Sequence, residues 1–235
     1  QDYYKVNVLT IEKELKLPQK VEKYFKIVQD HIKNNLNITN EKEFSNICDK
    51  IYDFIMEKLY EKLFPKNMTE TDDKIRKMCE KLSWVEPKHF IKSKNNFIYE
   101  SFLPDLTNYI TLIAKEKSIR KKIINMKAIF QCMDNLGKFH GEGQFGLEDQ
   151  IQILNYAFIK AKPLHIWANA QYMELFLGSK KDQIEGQNLA SLYLMCEHVI
   201  NITADKLIGV DKKEFEDKCN KSSERKYSNL ELEII

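Results

Sequence analysis

Apolar residues recur at three- and four-residue steps in the first quarter of the chain, which is the spacing of one helical face. The first such stretch covers 21–36, and Pro18 before it predicts where that helix begins. The second opens at Asn40, with Glu43 placed as in a capping box, and Pro65 predicts its end. The residues of this second helix that we expect to point inward are Phe44, Ile47, Ile51, Phe54, Ile55, Leu59 and Leu63.

The same spacing predicts further amphipathic helices in the middle of the chain. Asp72 is placed to cap a short helix that stops near Pro87. Pro104 predicts the start of another helix, whose apolar set ends at Ile113, and a further helix covers 119–133. Both patterns are amphipathic, so one face of each helix is expected to be buried.

A cluster of glycines interrupts the helical pattern. Four of the seven glycines lie within ten residues, and the entropy cost of ordering them predicts a long loop without helix: Gly137, Gly141, Gly143 and Gly146. The remaining helices are expected, in order, over 147–162, over 163–176, over 189–200 after a polar turn containing Gly178 and Gly186, and over 211–218.

Composition agrees with a helical chain that has no strong overall charge. Only seven Gly and five Pro are present, which suits helices joined by few turns. Thirty-seven basic and thirty-five acidic residues leave a formal net charge of +2, so no global field draws nucleic acid or an anionic membrane. We therefore predict an all-α protein that recognises its partner through a local surface.

The cysteine content and the hydropathy of the chain indicate the cellular environment in which we expect it. Five cysteines, an odd number without CxxC spacing, favour free thiols in a reducing, cytosolic setting. No apolar run of about eighteen residues and no signal-peptide pattern occurs, so we expect neither a membrane span nor secretion. Because the chain begins at Gln1 rather than Met, we expect a piece of a longer protein.

Few side chains suggest chemistry by themselves. The glycine-rich segment lacks GxxxxGK[ST] and follows a predicted helix, and the histidines are scattered, so no nucleotide, cofactor or metal is expected. The basic stretch 120–127 is typical of a solvated helical face, although it also suits phosphates or an acidic partner. Glu148 and Asp149 stand at the start of a helix, where the helix dipole favours anions, but acids are common in any first turn.

Several segments resemble one known family in order and spacing. The segments 51–65, 70–73 and 82–87 resemble the helical bundle of Rabex-type exchange factors. Gly146 followed by the acids Glu148 and Asp149 resembles that family's glycine and paired-acid motif, and the segment 163–173 resembles its Pro, Asn and Tyr motif, here Pro163, Asn169 and Tyr172. Over roughly 20–219 the chain is therefore identified as a member of the vacuolar protein sorting nine (Vps-nine) domain family.

The resemblance implies an N-terminal helical bundle packed against a layered, Vps-nine-like helical core. The expected parts are a bundle at 1–84, an exchange-factor core at 85–208, and a C-terminal helix and tail at 209–235. It implies a guanine-nucleotide exchange factor for a Rab-five-type small GTPase in endocytosis and vesicle trafficking, with no covalent chemistry. The protein is expected to be a cytoplasmic monomer, peripheral to endosomal membranes, which it reaches only through its partner or through regions outside this chain.

The resemblance also assigns residues. In the family, the first acid of the pair enters the nucleotide site of the GTPase, competes with the β-phosphate for the phosphate-loop lysine and disturbs the magnesium; here the pair is Glu148 and Asp149. A carboxylate can replace phosphate as the charge-assisted partner of a lysine. The residues expected to contact the GTPase are Ile151, Gln152, Asn169, Gln187, Asn188, Ala190 and Ser191.

Three positions depart from the family pattern and leave an alternative open. Glu148 stands where the family has Asp, and Gln152 stands where it has Pro. Gln187 or Asn188 takes the place of a Tyr that meets the GTPase switch regions, so an aromatic anchor is absent there. The alternative function is an adaptor module that binds a GTPase without catalysing exchange.

Overall fold

The computed structural model describes residues 2–35, 38, 40–65, 67–91, 96–140, 146–177 and 183–232. Within these residues the fold is all-α, which confirms the predicted class. Short 3-10 helices at Pro87–His89 and Ala204–Lys206 accompany the α-helices. The α-helices are α1 (Asp2–Asn35), α2 (Glu41–Leu63), α3 (Glu70–Lys81), α4 (Asn96–Lys115), α5 (Ile119–His140), α6 (Leu147–Ala161), α7 (Ile166–Leu177), α8 (Gln183–Ile200) and α9 (Lys212–Leu232).

Local sequence signals set the ends of α2. The side chain of Asn40 accepts hydrogen bonds from the backbone N–H groups of Lys42 and Glu43, at 2.9 and 3.2 Å, and so caps the helix as predicted. Phe64 is extended and ends α2 one residue before Pro65. The prediction that Phe54 points inward is wrong, because 60% of its surface is exposed.

Proline and glycine are weaker helix breakers here than the sequence predicted. Pro18 lies inside α1 and Pro104 inside α4, so neither begins its helix. α5 continues through Gly137, and Gly186 lies in the first turns of α8 rather than in a connecting turn. A proline removes one backbone hydrogen bond and a glycine costs about 1 kcal/mol, and tertiary packing of a long helix offsets both. The glycines at 141, 143 and 178 lie outside the described residues.

The N-terminal bundle has a small core of its own. Phe25 and Ile32 of α1 are buried with Cys48 of α2, and the ring of Phe25 meets that of Tyr52 edge-on at 4.8 Å. Further along α2, Met56 is buried in the main core. α2 therefore joins the bundle to the rest of the fold.

The main core is a layered arrangement of helices α3 to α9. α4 packs against α5 and α6, while α8 contacts α3, α5, α6 and α7, and α9 lies on α3. The core includes Ile75 and Leu82, which precede the predicted boundary at 84, and Cys219, which follows the one at 208. The three-part division of the chain remains a prediction, and both of its boundaries cut across this shared core.

Asp72 caps a different helix from the one predicted. The N-cap of α3 is Thr69, whose hydroxyl accepts from the N–H of Asp72 at 3.0 Å. The buried Asp72 carboxylate accepts hydrogen bonds from Trp167 N–H at 2.8 Å and from Ala168 N–H at 3.2 Å. These N–H groups belong to the first turn of α7 and have no partner within their own helix. Asp72 thus joins α3 to α7.

The five cysteines are free and buried. In the described part of the chain, no helix combines the length and apolar character that a membrane crossing requires.

Candidate functional site

The paired acids lie in the first turn of α6. Gly146 is the N-cap residue, and its N–H donates to Asp149 Oδ2 at 2.9 Å, so Asp149 is half-buried and held against the helix start. Glu148 is exposed. The positive end of the α6 dipole favours both carboxylates at this position. The pair therefore divides into one acid that caps the helix and one that faces solvent.

Glu148 lines a groove with a volume of about 560 Å³. One wall is the first two turns of α6, with Glu148, Asp149 and Gln152. The other wall comes from distant parts of the chain: Phe90, Asp205, Lys206, Leu207 and Ile208. The groove thus has two carboxylates on one side, and apolar side chains, one cation and one further carboxylate on the other.

Buried contacts fix the second wall in place. Leu207 is buried, and Ile208 N–H donates to His89 C=O at 2.8 Å. The ring of His89 accepts from Glu86 N–H at 2.9 Å, and burial lowers the pKa of His89, which favours the neutral ring that accepts this bond. Phe90 contacts the ring of Tyr156 on α6 at 5.8 Å between centroids, so the second wall is attached to the helix that carries the acids.

Local hydrogen bonds occupy two of the four charged side chains in the groove. Asp149 accepts from Gly146, and the hydroxyl of Thr203 holds the pKa of Asp205 below its usual value. Glu148 and Lys206 are exposed, and within the described residues neither has an ion-pair partner. One anion and one cation, from two different parts of the chain, are therefore available to a partner.

The predicted contacts on α8 lie on an accessible helical face. Gln187 and Ala190 are exposed, Asn188 and Ser191 are half-buried, and Ser191 donates its hydroxyl proton to Gln187 C=O at 3.0 Å. On α6, Ile151 and Gln152 are half-buried. α6 packs against α8, so the two sets of residues belong to neighbouring helices, but of these predicted contacts only Gln152 lines the groove.

Asn169 cannot contact a partner directly, so this predicted contact is corrected. It is 0% exposed, and its side-chain oxygen accepts a hydrogen bond from Lys122 Nζ. Its amide nitrogen donates to His165 C=O at 2.7 Å. Lys122 is also 0% exposed and donates to Ile113 C=O at 2.9 Å, near the end of α4. Asn169 and Lys122 therefore form an internal polar link between α4, α5 and α7.

The burial of Lys122 predicts a pH-dependent stability. Burial lowers the pKa of Lys122 from its ordinary value of 10.5 to about 7. Between these values the unfolded chain binds a proton that the folded protein does not, so this group makes the free energy of unfolding rise with pH, by up to about 1.4 kcal/mol per unit. Below pH 7 both states bind the proton and the contribution stays at its minimum.

Replacing Lys122 by Met removes this titration, and the measurement is urea denaturation of both proteins at several pH values from 7 to 8.5. The difference in unfolding free energy, wild type minus Lys122→Met, is expected to grow with pH by about 1 kcal/mol per unit. Titration of other groups is common to both proteins and cancels in this difference. A difference that stays constant with pH contradicts the assignment.

The wall at 205–208 and the buried Lys122 were not predicted. The wall lies more than fifty residues after Glu148 and carries no motif. Lys122 lies in a basic stretch that reads as solvated, and its partner Asn169 is distant in sequence. Among the residues whose placement is described, no three His, Cys, Asp or Glu side chains are arranged to hold a metal ion.

Comparison with known proteins gives one family. Residues 103–204 match the family model described as the Vacuolar sorting protein 9 (VPS9) domain. The matched segment begins inside α4 and ends at Ala204, so it contains Glu148 and Asp149 but not α3, α9 or the wall at 205–208. No curated protein matches the chain.

Proposed function

We propose that this chain, which belongs to the VPS9 domain family through residues 103–204, accelerates GDP release from a Rab-five-type small GTPase in endosomal trafficking. VPS9 domains are generally guanine-nucleotide exchange factors for Rab GTPases, so the family implies a small GTPase partner in general. The observation that carries the proposal is that Glu148, in the first turn of α6, is exposed and lines a groove.

Glu148 is the acid proposed to enter the nucleotide site. Its carboxylate takes the place of the β-phosphate as partner of the phosphate-loop lysine of the GTPase, and its negative charge opposes the return of the nucleotide. Because binding is reciprocal, a partner that prefers the nucleotide-free GTPase weakens nucleotide binding by the same factor. Asp149 supports this role by fixing the start of α6 through Gly146.

The rest of the contact is proposed to lie on α6 and α8. Ile151 and Gln152 flank the acids, and Gln187, Asn188, Ala190 and Ser191 supply polar and small contacts on α8. In place of the family's Tyr, we propose that the apolar side chains of Ile184 and Leu194 meet the switch regions. They are 60% and 49% exposed, and they stand three residues before and seven residues after Gln187 on α8. Residues spaced by three and seven share one helical face with Gln187.

The direct test is release of fluorescent GDP from a panel of purified Rab GTPases that includes Rab-five types. The wild-type chain is expected to accelerate release from a Rab-five-type member and to bind its nucleotide-free form more tightly than its GDP form. Binding of a Rab GTPase without acceleration supports the second candidate, the adaptor module. The replacement of Tyr by Gln187 or Asn188, and of Pro by Gln152, favours this candidate. Absence of both binding and acceleration contradicts the proposal.

A further inference from the structure

We propose that Lys206 is a second contact residue for exchange, whose ammonium group binds an anionic group of the GTPase–GDP complex while Glu148 binds its lysine. The proposal rests on the proposed function, since it concerns the same groove. It adds a residue from outside the matched VPS9 segment, which ends at residue 204.

The backbone on either side of Lys206 is held rigidly. Lys206 ends the 3-10 helix Ala204–Lys206, and its N–H donates to Thr203 C=O at 3.1 Å. Leu207, the next residue, is buried and donates its N–H to Ala204 C=O at 3.0 Å. The N–H of Ile208 donates a hydrogen bond to the backbone C=O of His89, which is distant in sequence. A side chain presented from such a segment loses little backbone freedom on binding, which favours a specific contact over a transient one.

The charges in the groove single out Lys206. It is the one cation among the described residues that line the groove, and it belongs to the wall at 205–208 rather than to the wall that carries Glu148. Asp149 accepts from Gly146 N–H, and the pKa of Asp205 is lowered by the Thr203 hydroxyl and also by the neighbouring Lys206, whereas within the described residues no hydrogen bond or salt bridge occupies the side chain of Glu148 or Lys206. A partner that fits the groove must therefore offer a cation to one wall and an anion to the other.

A GTPase bound to GDP has this pair of charges at its nucleotide site. The phosphate-loop lysine and the β-phosphate form an ion pair, and inserting a carboxylate next to that lysine leaves an anionic oxygen group without its cation. Lys206 is placed to take that group. The anion is either the diphosphate of the departing GDP or a carboxylate of the GTPase near the same site, and both present oxygen atoms to an ammonium group.

The test compares four proteins in the fluorescent GDP-release assay with a Rab-five-type GTPase. They are the wild type, Lys206→Met, Lys206→Arg and Lys212→Met, which removes an exposed lysine from the start of α9, outside the groove. Lys206→Met is expected to lower kcat/KM by about tenfold, whereas Lys206→Arg keeps most of the activity and Lys212→Met keeps all of it. The loss is expected to shrink as the salt concentration is raised, because salt screens exposed charge pairs.

Affinity for the nucleotide-free GTPase distinguishes the two sources of the anion. If Lys206→Met binds this form more weakly than the wild type, the anion is a carboxylate of the GTPase. If the affinity is unchanged and only GDP release is slower, the anion is the diphosphate. Wild-type rates for Lys206→Met overturn the inference and leave the proposed function intact, whereas an inactive wild type overturns both.

Discussion

Replacing Glu148 by Ala is expected to lower the rate of catalysed GDP release by about 100-fold or more, while the protein keeps its fold. Truncating one partner of a desolvated charge pair costs roughly 2 to 5 kcal/mol of interaction, and 2.7 kcal/mol corresponds to about 100-fold. The same side chain contributes only about 0.3 to 1 kcal/mol to the stability of α6 as an acid in the first helical turn. The measurements are fluorescent GDP release and thermal unfolding followed by circular dichroism.

Two further variants make this test specific. Glu41→Ala removes another exposed acid from the first turn of a helix, α2, and is expected to exchange nucleotide at the wild-type rate. Glu148→Asp restores the acid that the family uses and is expected to keep activity, which indicates that charge rather than chain length is required. Normal exchange by Glu148→Ala contradicts the assignment of the inserted acid.

Asp72→Ala is expected to lower the free energy of unfolding by about 3 kcal/mol. The substitution leaves the N–H groups of Trp167 and Ala168 without their acceptor, and each uncapped or buried donor costs roughly 1 to 2 kcal/mol. It also separates α3 from the start of α7 in a core that both helices share. Urea denaturation measures the change, because a shift of the midpoint at constant slope reports stability alone.

Asp73 is the matched control for this prediction. It is the next residue on α3, and its carboxylate pairs with Arg76 and Lys77 on the same surface of the helix. Asp73→Ala is expected to change stability far less than Asp72→Ala, because partly exposed ion pairs along one helix contribute little. Equal effects of the two substitutions indicate that general helix charge, and not the cap on α7, explains the loss.

Features determined by neighbouring residues were predicted well from the sequence. The cap at Asn40, the end of α2 before Pro65 and the start of α6 at Leu147 each depend on a few adjacent residues. The positions of Glu148 and Asp149 in a first helical turn were predicted for the same reason. Whether Glu148 enters a GTPase is a question about a partner, and it stays a prediction until exchange is measured.

Features that depend on distant contacts were not predicted. Asp72 reads as a cap of its own helix, and only the fold brings it to Trp167 and Ala168. From the sequence, Lys122 is expected to be a solvated cation. Its burial was not predicted because the oxygens that accept its hydrogen bonds belong to other helices, α4 and α7. Helical spacing reports which face of a helix is buried, but it does not report which other helix covers that face.

The two walls of the groove also bear on protein engineering. Transplanting α6 alone into a related scaffold carries the acids across but leaves behind Phe90 and the lysine-bearing turn at 205–208. Partner preference is then expected to follow the recipient scaffold rather than the donated helix. To transfer partner preference, a chimera is expected to need at least α6, the segment around Phe90 and the turn at 205–208.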